Sequence, residues 1–208
     1  MKSKWVIRTM GGLGAFVLMG LFSNPTWAAI TGSKHDFSGK SWNPGGEICV
    51  VCHTPHNAAS TIAPLWNHAV TTATFTLYSS STLNATMGQP AGVSKACLSC
   101  HDGTVALNSF GGTTGSEMIT GKPLLGTDLS NDHPVSFTYD TALATADKEL
   151  ANPSSASSGL GGTIKADMLF SDKLECASCH DVHNGAGISK LLVKSNSGSA
   201  LCLTCHTK

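Results

Sequence analysis

This chain of 208 residues has little of what usually makes a protein core: aromatic residues are 6% and charged residues 12% of the sequence. Glycine, serine and threonine instead dominate long stretches, such as residues 111–115 and 154–163. So little large apolar surface cannot offset the conformational entropy that folding costs. We therefore expect bound cofactors to supply most of the core.

Arginine is nearly absent, since Arg8 is the only one and lies in an N-terminal segment that we expect to be removed. Removal takes three of the thirteen basic residues, which leaves ten against thirteen acidic residues and a net charge of about −3. Without arginine the mature chain has no bidentate clamp for phosphate or carboxylate substrates. Without excess positive charge, a nucleic-acid partner is not expected.

Long apolar runs are also missing, because a membrane span takes about 20 residues. The best candidate, residues 10–22, is short, glycine-punctuated and preceded by the basic residues Lys2, Lys4 and Arg8. The small residues that follow predict cleavage after Ala28. The sequence thus predicts a signal peptide over residues 1–28, an exported mature protein of about 180 residues and no membrane span.

All eight cysteines belong to one repeated motif, Cys-x-x-Cys-His. This is the attachment signature of c-type haem: two thiols form thioethers with the porphyrin vinyl groups, and the histidine binds the iron. Disulfides or zinc sites also use paired cysteines, but neither needs a histidine after every pair. The sequence therefore predicts four c-type haems, numbered 1–4 like their motifs. The attaching residues are Cys49 and Cys52, Cys97 and Cys100, Cys176 and Cys179, and Cys202 and Cys205, and the proximal ligands are His53, His101, His180 and His206.

The motifs form two pairs that resemble each other. Motifs 1 and 3 are each followed by a second histidine three residues after the first, at His56 and His183. Upstream of each pair lies a related fragment, which begins at His35 and at His133. This predicts a duplicated dihaem unit: residues 29–130 form the first unit with insertions, and residues 131–208 form the second.

Secondary structure is weakly signalled outside the motifs. Residues 73–78 and 135–139 alternate as strands do and are expected to pair as a small ribbon. Asp140 is expected to cap a helix that runs through Leu150, and each Cys-x-x-Cys-His motif is expected to lie on a short helix. The predicted fold class is mostly coil with short α-helices and minimal β-structure, wrapped around a stacked row of haems.

Five histidines remain for the sixth coordination position of four irons. His56 and His183 start on the same side of the porphyrin as the proximal ligand next to them, so each must reach another haem. We expect His56 at haem 2 and His183 at haem 4. By the repeat, we expect His133 at haem 3 and His35 at haem 1. His68 is the alternative for haem 1, or else a polar residue packed in the protein.

The number of available histidines distinguishes between two classes of function, a haem enzyme and an electron-transfer protein. A haem enzyme such as a reductase keeps one iron open for substrate, whereas five histidines exceed what four irons need. Iron between two imidazoles is low-spin and of low potential, and closely packed porphyrins pass electrons along the row. The sequence predicts electron transfer without catalysis, with other redox proteins or extracellular electron acceptors as partners. The less favoured alternative is a multihaem reductase with an open haem.

The block Cys176 to His206 resembles the paired-CXXCH cytochrome domain, and His133-Pro-Val is similar to the distal-ligand segment that often precedes it. The first half is similar to multihaem cytochromes exported by metal-reducing bacteria, on residues 34–38, 49–57, 64–68 and 97–105. In haem number and size the chain resembles the extracellular tetrahaem cytochromes of that group, which polymerise into filaments.

The resemblance implies electron transfer through bis-histidine haems and a ligand donated across a subunit boundary. We expect self-association into an extracellular or cell-surface filament, with a periplasmic shuttle as the alternative. In the filament, the N-terminal arm is expected to deliver His35 to a neighbour's haem while His68 completes haem 1, or the reverse.

Overall fold

The computed structural model describes residues 30–58 and 62–207, so the predicted signal peptide lies outside the described residues. Most of the described chain is coil and turn. The fold class is therefore the predicted one, mostly coil with few short helices and a minimal sheet, and it is consistent with a multihaem cytochrome c. In chain order the helices and strands are α1 (Gly92–His101), β1 (Phe137–Thr138), α2 (Thr141–Asp147), α3 (Ile164–Met168), β2 (Lys173–Leu174) and α4 (Cys202–Cys205). Three short 3₁₀ segments lie between β2 and α4, at Cys176–Ser178, Ser189–Leu191 and Ser197–Ser199.

Helix α1 is the longest element, and it carries motif 2. Its buried face contains small residues, among them Ser94 and Ala96, beside Leu98. Small side chains let the first turn of motif 3 approach closely, and the backbone N–H of Cys176 donates to the Ser94 hydroxyl at 2.9 Å. Motifs 2 and 3, far apart in sequence, are therefore in contact.

Helix α2 begins where the sequence predicts, because the Asp140 carboxylate accepts a hydrogen bond from the backbone N–H of Leu143 at 2.9 Å. The predicted cap is confirmed. The helix ends at Asp147 and not at Leu150, because Lys148 adopts a left-handed conformation with φ of 69°.

The two-stranded sheet has a different partner from the predicted one. Strand β1 pairs antiparallel with β2, with Phe137 opposite Leu174. The predicted pairing with residues 73–78 is wrong, because that segment bonds to residues 127–129 through the backbone of Thr76. Phe75 is buried in a small cluster with two leucines there, and this burial holds the segment away from β1.

The second half of the chain has an apolar core of its own. The sequence predicts that haems supply most of the core, yet eight side chains bury each other around the sheet, α2 and α3. The Tyr139 hydroxyl is satisfied inside this cluster, where it donates to the Ala151 carbonyl at 2.6 Å. The buried members are Phe137, Tyr139, Leu143, Ala144, Ile164, Met168, Leu174 and Leu201. Within the described residues, no helix combines the length and apolar character that crossing a membrane requires.

Candidate haem-binding site

Each Cys-x-x-Cys-His motif closes one helical turn. The backbone N–H of the histidine donates to the carbonyl of the first cysteine, at 2.8 Å in motif 1, 3.1 Å in motif 3 and 3.0 Å in motif 4, while motif 2 lies within α1. One such turn brings two thiols and an imidazole together. The predicted short helix is present for motifs 2 and 4, whereas motif 3 starts in a 3₁₀ segment and motif 1 is a single turn.

Three of the four proximal imidazoles are held in the same way. The Nδ1–H donates to a backbone carbonyl further along the chain: His53 to Pro64 at 2.7 Å, His101 to Pro123 at 2.7 Å, and His180 to Lys190 at 3.0 Å. Only a protonated nitrogen can donate to a carbonyl, so this bond leaves the lone pair on Nε2. Such outer hydrogen bonds orient a metal-binding histidine and raise its basicity.

Large apolar side chains follow two of these carbonyls and remain exposed. Leu65, after Pro64, is 55% exposed, and Leu124, after Pro123, is 42% exposed. An exposed leucine next to each of these two carbonyls provides apolar surface that suits a porphyrin face. The sequence reasoning missed these carbonyl acceptors, although the Pro-Leu pair that recurs after motifs 1 and 2 was a usable signal.

Three pairs of histidine rings stand at the separation that one iron requires. An imidazole–metal bond is about 2 Å long, so two imidazoles on opposite sides of an iron have ring centroids about 6.3 Å apart. The centroid distances are 6.1 Å between His35 and His101, 6.3 Å between His53 and His183, and 6.3 Å between His133 and His206. The residues present therefore fit c-type haems with two histidines at the iron for motifs 1, 2 and 4.

These pairs differ from the ones that the repeat predicts. His183 lies against the proximal ligand of motif 1, where the sequence predicts motif 4. His133 lies against the proximal ligand of motif 4, although the repeat predicts that it faces motif 3. His35 lies against the proximal ligand of motif 2, although the repeat predicts that it faces motif 1. Only the pair of His53 and His183 joins the two halves of the chain, while the other two pairs each lie within one half. In every case the histidine faces the motif that folding packs beside it, which the repeat does not encode.

His35 is suited to metal binding by its surroundings. Burial, followed by the nearby His101 and His180, lowers the pKa of the His35 imidazole, which favours the neutral form that metals bind. Its Nδ1 atom is buried without a hydrogen-bond partner. A buried polar atom left in that state costs about 1–3 kcal/mol, a cost that a metal bound at Nδ1 would remove.

Two distal candidates lie outside the three ring pairs. His68 is 1% exposed, with Nδ1 against the Ala69 carbonyl at 2.8 Å and Nε2 against the Ala106 carbonyl at 2.9 Å. His56 is exposed. Among residues 30–58 and 62–207, no other histidine ring is stacked or tilted against His56 or His180.

The thiols connect the four motifs in chain order. Burial raises the pKa of Cys100 to about 12, and the neighbouring Cys52 of motif 1 adds to the rise. The thiols of Cys97 and Cys176 interact with each other and so link motifs 2 and 3: this interaction raises the pKa of Cys97 and lowers that of Cys176. Burial raises the pKa of Cys179 to about 11, with a further contribution from Cys205 of motif 4.

All eight cysteines are free thiols, which leaves them available for thioether formation. The part of the chain that the structure describes holds no group of three or more His, Cys, Asp and Glu side chains arranged around a metal ion.

Turns that present two thiols and an imidazole, together with histidine pairs at the bis-ligand distance, are what covalent attachment and axial ligation of c-type haem require. Residues 169–208, which contain motifs 3 and 4, match the family described as a doubled CXXCH motif. This match supports a haem-binding cytochrome that transfers electrons. A comparison with curated proteins found no match.

Proposed function

We propose that the protein transfers electrons through four covalently bound c-type haems, each with its iron held between two histidines. The observation that carries the proposal is the set of three histidine pairs with centroids 6.1–6.3 Å apart. Haem supplies one-electron chemistry, and the chain supplies attachment, axial ligands and orientation. Two imidazoles at each iron leave no position for a substrate, so this arrangement favours electron transfer over a reductase.

The ring pairs support a specific set of axial ligands. His183 completes haem 1, His35 completes haem 2 and His133 completes haem 4, and His56 is assigned to haem 3 because it is the free candidate. His68 is assigned a packing role, since a neutral imidazole with carbonyls against both nitrogens has no lone pair directed at a metal.

The spectrum of the oxidised holoprotein tests this proposal. Four haems per chain, counted by mass, and an entirely low-spin visible and electron-paramagnetic spectrum are the expected results. A substantial high-spin signal in undamaged protein, or tight binding of carbon monoxide or nitrite, contradicts it and favours the reductase.

We further propose export and head-to-tail assembly into an extracellular filament, in which His56 of one subunit binds haem 3 of the next. Two features of a single chain support this: His56 is exposed, and among the described residues no histidine ring pairs with that of His180, although His35 lies near it. A contact that joins two different surfaces and does not close generates a helical polymer. His35 is not assigned this bridging role, because it lies beside His101 of its own chain.

Replacing His56 by Ala tests the filament. We expect the variant to retain four attached haems, to show one high-spin iron and to lose polymers, as seen by electron microscopy and size-exclusion chromatography. His183→Ala is the matched control: it also opens one iron, but at a position satisfied within the chain, so polymers persist.

The competing function is a monomeric periplasmic shuttle, in which His56 binds haem 3 of its own chain. Wild-type protein that stays monomeric at all concentrations favours the shuttle over the filament. A monomer in which all four irons are low-spin does the same, because haem 3 then has its second ligand without a neighbouring subunit. A His56→Ala variant that polymerises with all irons low-spin rules out the bridging role.

A further inference from the structure

Two carboxylates are buried against motif 2, one near each of its cysteines. Glu175 is 3% exposed and Asp102 is 4% exposed. Charged side chains are rarely buried unless a counter-charge or hydrogen bonds compensate them. The ion pairs found among the described residues use Lys165 with Asp172 and His183 with Asp181, so hydrogen bonds are the compensation here.

The partners of Glu175 are donors. Its Oε2 accepts hydrogen bonds from the backbone N–H of Ser94 at 3.3 Å, from the Ser94 hydroxyl, and from the Ser136 hydroxyl at 2.8 Å. Each hydroxyl also accepts a hydrogen bond from a backbone N–H: the N–H of Cys176 donates to Ser94, and the N–H of Ala91 donates to Ser136. A hydroxyl that already accepts an N–H has its own hydrogen free to donate, so this site suits an ionised carboxylate.

Asp102 is held in the same manner. Its carboxylate accepts from the backbone N–H of Thr104 at 2.7 Å and from the hydroxyls of Thr104 and Thr71. The Thr71 hydroxyl accepts the backbone N–H of Ala73 at 3.1 Å, which directs its hydrogen towards Asp102. Two negative charges are therefore fixed in a site that water does not reach.

The charges are unevenly distributed over the motifs. Glu175 interacts electrostatically with the thiols of Cys97 and Cys176, and Asp102 with that of Cys100. Motif 2 thus has two buried carboxylates and motif 3 has one. Motif 4 instead has a cation, because Lys194 acts on Cys205 while its ammonium donates to the Ser158 carbonyl at 2.6 Å.

We propose that the negative charges of Glu175 and Asp102 make the haem of motif 2 the last of the four to be reduced. The inference rests on the proposed electron-transfer function. Reduction takes one electron from an external donor and converts Fe(III) to Fe(II), so it adds negative charge next to two fixed negative charges. Two unit charges about 10 Å apart, at an effective dielectric constant of about 20, interact strongly enough to change an equilibrium constant about tenfold. Electrons that reach motif 2 then pass readily to haems on either side.

The test is a redox titration of the tetrahaem holoprotein followed by proton NMR, in which haem-methyl signals assign each reduction step to a motif. Glu175→Gln and Asp102→Asn remove a charge and keep the shape of the side chain. Each is expected to make reduction of the motif 2 haem about tenfold more favourable, a shift of about 59 mV for one electron. Glu117→Gln is the matched control, because Glu117 is exposed and water screens its charge.

Wild-type titration with the motif 2 haem reduced last, and a shift confined to Glu175→Gln and Asp102→Asn, support the proposal. Another haem reduced last, or shifts no larger than that of Glu117→Gln, overturns it. If Glu175→Gln does not mature, Asp102→Asn gives the decision by itself. The low-spin spectrum is recorded on the same samples, so a failure here with all irons low-spin leaves the electron-transfer function standing.

Discussion

The histidines of this chain differ in which ring nitrogen already has a hydrogen-bond partner. His133 donates from Nδ1 to the Pro134 carbonyl at 2.9 Å, and Nδ1 of His183 lies 3.4 Å from the Asp181 carboxylate. Both arrangements leave Nε2 for iron, as in three of the proximal histidines. His68 has carbonyls at both nitrogens. The local hydrogen bond thus separates ligand candidates from a packed histidine.

The ring angles predict two distinct low-spin signals. The planes of His53 and His183 are 15° apart, and those of His133 and His206 are 74° apart. Near-parallel axial rings split the iron d orbitals and give a rhombic signal, whereas near-perpendicular rings leave the orbitals nearly degenerate and give a signal with a very large g value. We expect both in the electron-paramagnetic spectrum of the oxidised protein.

Single replacements assign these signals. His183→Ala is expected to weaken the rhombic component, and His133→Ala to weaken the large-g component, each with a new high-spin iron. If His183→Ala removes the large-g signal instead, then His183 serves haem 4, as the repeat alone predicts.

At the scale of elements, short helices depend on their ends because they have few internal hydrogen bonds. Helix α2 has only seven residues, and its start is held by the Asp140 carboxylate. Two of its residues, Leu143 and Ala144, belong to the apolar cluster of the second half. Loss of the cap therefore affects the core and not only the helix.

Asp140→Ala is expected to lower the free energy of unfolding by about 1 kcal/mol, because the N–H of Leu143 loses its acceptor. The measurement is reversible denaturation of the holoprotein followed by far-ultraviolet circular dichroism. Asp140→Asn, which keeps an acceptor oxygen, is the control and should lose only a small part of that stability. Equal losses in the two variants contradict a capping role.

At the scale of the whole molecule, apolar burial is unequal between the two halves. Eight side chains between Phe137 and Leu201 form the larger cluster. The smaller cluster contains Phe75, Leu98 and Leu129. The first half therefore relies more heavily on its cofactors for order.

Protein made without the cytochrome c maturation machinery is expected to lack cooperative unfolding and to be digested rapidly. Because the larger cluster buries more apolar side chains than the smaller one, limited proteolysis with mass spectrometry should show cleavage within residues 30–130 before cleavage within residues 137–201. Cysteine-free protein, with serine in all four motifs, is the control for disulfide artefacts. Cooperative thermal unfolding of the haem-free chain contradicts the prediction.

The sequence by itself determined the chemistry of attachment. Thiol pairs followed by histidine are local patterns, and so is the Asp140 cap, because both depend on residues within one turn of each other. Coil as the dominant class followed from composition, since abundant glycine and serine favour turns over long helices.

Only the tertiary structure decided which histidine faces which motif. His53 and His183 lie in opposite halves of the chain, and their approach depends on how the halves pack, which a repeat pattern does not encode. The same holds for Glu175, which directly precedes motif 3 in sequence but contacts motif 2 through Ser94 of α1. Long-range contacts of this kind arise from close packing of small residues such as Ser94, and small polar residues leave no periodic signal in a sequence.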